Sequence, residues 1–100
     1  MKYKFTAMAC RWFDKVNGNT YHSVRVTNNE TGEVLACAWR YGYGESYRQT
    51  ALKAMAAADW LPEEYQARDK QGMYELENDY PINWIVTDGL KRDMVANGEL

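Results

Sequence analysis

The strongest constraint on this chain is a pair of closely spaced turn signals set within an alternating apolar and polar pattern. In residues 3–13, Tyr3, Phe5, Ala7, Ala9 and Phe13 alternate with Lys4, Thr6, Met8, Cys10 and Trp12. A period of two is that of a strand, whose successive side chains point to opposite faces. Asn17-Gly18 follows, and both residue types tolerate the positive φ of a tight hairpin. Residues 20–27 alternate again, with His22, Val24 and Val26 on one face and Tyr21, Ser23, Arg25 and Thr27 on the other. Residues 28–33 read as a second turn, with Gly32 at the left-handed position. Residues 34–41 form a third strand, in which Val34, Ala36 and Ala38 oppose Leu35, Cys37, Trp39 and Tyr41. Strands joined by two short turns make an antiparallel meander.

The period then changes. Ser46-Tyr47-Arg48-Gln49 has the pattern of a capping box, opening a helix over residues 50–59 with a face along Tyr47, Ala51, Leu52, Met55 and Ala58. Trp60-Leu61-Pro62 ends it, and Pro62-Glu63-Glu64 suits the first turn of a short second helix. Residues 66–80 are polar and without period, and Arg68–Gly72 reads as a loop. Ile82–Val86 is a further strand, followed by a helix capped by Thr87 or Asp88, with Leu90, Met94 and Val95 inward and a left-handed stop at Asn97-Gly98. The expected class is α+β in the order β-β-β-α-β-α. It is a three-stranded antiparallel meander with room for a fourth strand, one helix on a face and a short C-terminal helix. One hundred residues make a single domain over 1–100, and an aromatic content of 14% gives it a core without disulfides or metal.

The strands are apolar on both sides, whereas one helix covers one side only. The spare face then needs the C-terminal segment, a second copy of the chain in a homodimer, or a partner.

Charge narrows the partners. Twelve basic and fourteen acidic side chains give a net charge of −2, neither that of a basic nucleic-acid coat nor of an acidic DNA mimic. Residues 1–50 carry +3 and residues 51–100 carry −5, so the meander is mildly basic. No apolar run approaches the length of a secretory signal or a membrane span, which points to a cytoplasmic protein with no membrane partner. Cys10 and Cys37 then read as two reduced, packed thiols.

Little chemistry is on offer. His22 is the single histidine and lies on an apolar strand face, the usual setting of a satisfied core histidine. With Cys10 and Cys37 it matches no metal-ligand spacing, and the chain has no phosphate loop, dinucleotide fingerprint or nucleophile elbow. The carboxylates at Glu63, Glu64, Glu75, Glu77 and Asp79 lie in polar sequence and read as solvated surface. No catalytic residue, metal or cofactor is expected, and the chain reads as a non-enzyme. The distinctive stretch is residues 39–48, where Arg40, Tyr41, Tyr43, Tyr47 and Arg48 are interleaved with glycines. These residues suit a protein-binding hot spot, or base stacking with phosphate contact. All five are candidate partner contacts, and the plain alternative is that Tyr43 and Tyr47 simply bridge sheet to helix.

Residues 19–27 (NTYHSVRVT), 41–52 (YGYGESYRQTAL) and 83–98 (NWIVTDGLKRDMVANG) together resemble small accessory proteins, of no assigned activity, encoded by bacteriophages and prophages. That resemblance implies a bacterial cytoplasm during infection. It also implies binding to a host protein or protein complex, which the phage protein blocks or redirects in the manner of an anti-CRISPR protein. The alternative function is a nucleic-acid-binding accessory protein using the basic, aromatic meander.

Overall fold

A computed structural model describes residues 3–42, 44–60 and 81–99. Four strands form one mixed sheet in the order β3-β2-β1-β4: β1 is Phe5–Asp14, β2 Asn19–Asn28, β3 Val34–Tyr41 and β4 Ile82–Asp88. The first three are the antiparallel meander read from the sequence. The fourth strand also forms, but it runs parallel to β1, with Phe5 opposite Ile82 and Arg11 opposite Asp88. Helix α1, Ser46–Ala57, lies on one face of the sheet, and helix α2, Lys91–Asn97, lies on the other. The expectations for residues 61–80 lie outside the described residues. Among the described residues, no helix is long and apolar enough to cross a membrane.

Both hairpins use one device. Asp14 closes β1 and its carboxylate accepts hydrogen bonds from the Val16 and Asn17 backbone, while its carbonyl accepts from Gly18 N–H at 2.7 Å. Asn28 closes β2 and repeats this with Glu30, Thr31 and Gly32. In each turn the glycine four residues on takes positive φ, 70° at Gly18 and 81° at Gly32. Asn17 does not share that conformation; its side-chain amide instead donates to the Asp14 carboxylate at 2.8 Å. An Asx side chain thus replaces the strand partners lost at the turn, and glycine avoids the Cβ clash of the left-handed region.

The core lies between the sheet and α1. Phe5, Ala7 and Ala9 of β1, Val24 and Val26 of β2 and Ile82 of β4 face Tyr47, Ala51, Leu52 and Met55. Small side chains at Ala7, Ala9 and Ala51 let the helix approach the sheet closely, and Phe5 and Met55 fill the remaining space at 0% exposure. Glu45, not Ser46, precedes the first helical residue, and no side chain caps that end. The other end closes as a Schellman motif: Asp59 N–H donates to Ala56 O and Trp60 N–H to Met55 O, with Asp59 at φ 60°. The reversal returns Trp60 to the core, where its ring stacks on Phe5 at 5.9 Å.

The second face is covered at its centre by the chain's own α2, one of the three covers anticipated. Met94 is fully buried there. Ser23 Oγ donates to Met94 O, and Asn97 Nδ2 donates to Met8 O at 3.0 Å and Ser23 O at 3.3 Å. Leu90 precedes the helix and is exposed rather than inward, and the Asp93 carboxylate accepts its N–H. Gly98 is not left-handed, with φ −89°. It is glycine for want of room, since a Cβ there would lie 2.6 Å from Cys37 O and 3.0 Å from Ser23 Cβ.

One irregularity reassigns the third strand. Between His22 and Val24 lies one residue of β2, but between their partners Arg40 and Cys37 lie two, Ala38 and Trp39. This β-bulge inverts the alternation beyond it. Arg40 therefore shares the α1 side with Leu35 and Cys37, while Trp39 and Tyr41 share the α2 side with Tyr21.

Candidate functional site

Cross-strand register places Trp12 opposite Tyr21 and Tyr21 opposite Tyr41. With Trp39 delivered by the bulge, four aromatics from three strands meet on the α2 side. Trp12 and Tyr21 stack at 5.6 Å, and Trp39 and Tyr41 meet the Tyr21 ring edge-on at 5.5 Å and 5.9 Å. Such geometry suits the ring quadrupoles and fixes the orientation of each side chain. Trp39 nevertheless stays 46% exposed and Tyr41 58% exposed. Lys91 of α2 sets its ammonium 5.6 Å from the centre of the Trp12 ring.

The five residues singled out in the sequence do not share one patch. Arg40 is exposed on the α1 side and Tyr41 is exposed on the α2 side. Tyr47 is a core residue at 5% exposure, its ring edge-on to Trp84 of β4 at 5.6 Å, so it bridges helix and sheet and offers no contact surface. Arg48 is half-buried over the Trp84 ring at 5.1 Å, with Glu45 at 3.9 Å. Tyr43 lies outside the described residues. Trp12, Tyr21 and Trp39 belong to the patch and were not singled out. The pairing of Trp12 with Tyr21 follows from the Asp14–Asn19 register, whereas a two-residue turn at Asn17-Gly18 would have set Trp12 opposite Ser23. No sequence signal marks the bulge that brings in Trp39.

On the α1 side, Cys37, Ala38 and Arg40 of β3 and Thr50, Lys53 and Ala54 of α1 line an open groove of about 500 Å³, and Trp39 lines it as well. Burial pushes the Cys37 thiol upward in pKa, only partly opposed by the Arg40 guanidinium, so the protonated form, the weaker nucleophile, prevails. His22 is buried beneath the groove with both ring nitrogens in use, Nδ1 to Gly42 O at 3.1 Å and Nε2 to Thr50 Oγ1 at 2.8 Å. A backbone carbonyl only accepts, so Nδ1 carries the hydrogen and Nε2 accepts from the Thr50 hydroxyl. Gly42 leaves room for this ring, since a Cβ there would lie 2.8 Å from His22 Cε1. Desolvation lowers the His22 pKa and Arg40 adds to the effect, against the opposing hydrogen bond to Gly42. Cys10 and Cys37 face opposite sides of the sheet with β2 between them, and both are free thiols. What the geometry offers is recognition: a rigid aromatic ridge on one side and a cationic groove on the other, back to back at the β3 end of the sheet. Compared with known protein families, characterised proteins and solved structures, the chain matches none of them.

Proposed function

We propose that this protein is a non-enzymatic binding module that docks on another protein through the Trp12–Tyr21–Trp39–Tyr41 ridge. The observation that carries the reading is that Trp39 and Tyr41 remain about half exposed while held edge-on to Tyr21. Large amphipathic rings, already ordered, bury much area on docking at small entropic cost, and Trp and Tyr dominate binding hot spots for that reason. With the resemblance to phage accessory proteins, the partner is a host protein or complex in the bacterial cytoplasm, which docking blocks or redirects.

The test is quantitative capture of the partner from bacterial lysate by tagged protein, with and without nuclease, for the parent chain and for Trp39→Ala, Tyr41→Ala and Phe13→Ala. Loss of a hot-spot residue costs about 2 kcal/mol or more, roughly a thirtyfold fall in affinity. Trp39→Ala and Tyr41→Ala are expected to lose capture at an unchanged melting temperature. Phe13→Ala, an exposed aromatic outside the ridge, keeps it. Equal capture by all four chains sinks the proposal.

The second reading is nucleic acid, favoured by the Lys91 ammonium beside the Trp12 ring on an aromatic sheet face. It predicts capture that disappears with nuclease and weakens steeply with salt.

A further inference from the structure

Among the described residues, the groove on the α1 side is cationic without counter-charge. α1 contains no acidic residue, and Arg40 is the single charged residue of β3. The ion pairs among the described residues are Lys4–Glu30, Arg11–Asp88 and Arg48–Glu45, none of which involves Arg40 or Lys53. Both of these cations are exposed, and they meet over a floor of Cys37, Ala38 and Ala54. Arg40 lies close enough to influence the titration of both His22 and Cys37. Beside the groove runs the outer edge of β3, the end strand of the sheet, with eight residues and no strand paired on that side among the described residues. An unpaired edge is a template for one more strand.

The two features select the occupant. A strand laid along β3 alternates its side chains between the sheet's two sides. Those on the α1 side enter a corner that holds two cations and, among the described residues, no acid. Those on the α2 side lie beside Trp39 and Tyr41. A second copy of β3 is a poor fit, because Arg40 is its only charge and it brings no carboxylate to the two cations.

We propose that the edge of β3 takes an extended peptide of alternating acidic and apolar residues, its carboxylates in the Arg40–Lys53 groove and its apolar side chains against Trp39 and Tyr41. This rests on the reading of the chain as a protein-binding module and supplies the chemistry of the segment recognised. Arginine favours it, since the guanidinium fork grips a carboxylate with two parallel hydrogen bonds.

The test is fluorescence anisotropy of labelled (Glu-Val)4 titrated with the full chain, alongside (Lys-Val)4, (Glu-Pro)4 and a single-stranded octathymidylate. The same titrations are made with the Arg40→Gln/Lys53→Gln double variant, whose altered residues are both exposed, and with Trp39→Ala. Saturable binding of (Glu-Val)4 is expected, weakened about tenfold or more in the double variant at an unchanged melting temperature. No binding of (Lys-Val)4 is expected, and a large loss with (Glu-Pro)4, whose prolines remove every second backbone donor and hold φ at about −65°, away from the strand conformation.

Three results overturn the proposal: no saturation with (Glu-Val)4, equal affinity for parent and double variant, or equal affinity for the proline peptide. Tighter binding of octathymidylate, lost in the same double variant, assigns the groove to nucleic acid instead. Failure of the peptide with partner capture still dependent on Trp39 overturns the groove alone. Loss of that dependence overturns the aromatic ridge.

Discussion

Inside the layer between sheet and α1, His22 has a donor role at Nδ1 and an acceptor role at Nε2, and both are taken by neutral groups. A second proton would place a positive charge in the interior, where burial disfavours it and the Arg40 guanidinium repels it. The folded protein therefore resists protonation that the unfolded chain accepts near 6.5, the ordinary value of the group. Because the unfolded state binds more protons, stability is complete above that value. It declines as pH falls through the interval down to the lowered folded pKa, and this group contributes nothing more below it. The slope reaches at most about 1.4 kcal/mol per pH unit. Urea unfolding at a series of pH values from neutral to mildly acidic is expected to show this decline in the parent and a flatter profile in His22→Gln. A profile of equal slope in both would assign the acid sensitivity to other groups. The bland reading of the lone histidine, a satisfied core residue, was open to sequence because its neighbours Val24 and Val26 share its face. The identity of its partners was not, since Gly42 and Thr50 are distant in the chain.

At the scale of elements, α2 is held less by apolar area than by fit. Only Met94 is fully buried in it, so polar anchors and close approach carry the rest. Gly98 sits where the chain passes 2.6 Å, measured from an added Cβ, from the Cys37 carbonyl. Gly98→Ala is therefore expected to lift the C-terminal turn and destabilise the protein by about 1–3 kcal/mol, as overpacking does. Met94→Ala is expected to cost about 2–5 kcal/mol through the cavity it leaves. Chemical denaturation measures both, and a Gly98→Ala variant as stable as the parent would show that the helix end gives way freely. The elements themselves were legible. Asn17-Gly18 and Gly32 marked the two turns and hence the order and antiparallel sense of three strands. What escaped was whatever depends on distant segments meeting. The parallel docking of β4 is one example, and the tight fit that explains Gly98 better than any left-handed stop is another. The binding residues suffered most, because Tyr47 and Tyr41 look alike in sequence while one packs on Trp84 and the other faces solvent.

For the whole molecule, the meander and the chain after residue 80 are interdependent. β4 pairs with β1 along its length, and Arg11 donates to Asp88 Oδ1 at 2.9 Å across that join. The Asp88 side chain is largely exposed, so this ion pair adds direction more than energy. The stabilising part is the ladder and the burial of Ile82 and Met94 on opposite sides of the sheet. A chain ending at residue 60 retains the three strands and α1 but exposes the β1 edge and the bed of α2. Such a chain is expected to show no cooperative urea transition, whereas the full protein unfolds in one step. A sharp transition in the shortened chain would mean that the meander is a folding unit in its own right.

The bulge in β3 also bears on how such a surface is inherited. Side chains in a strand have only two destinations, and a bulge lets one extra residue enter without exchanging them relative to the partner strand. Loss of Ala38 would therefore leave a regular ladder in which Cys37 still faces Val24, Arg40 still faces His22 and Tyr41 still faces Tyr21, with β2, α1 and the core sequence untouched. Lineages of this protein can thus lose one codon here without exchanging the two sides, and reading-frame-preserving indels at this position are where length variation in the strand should be sought.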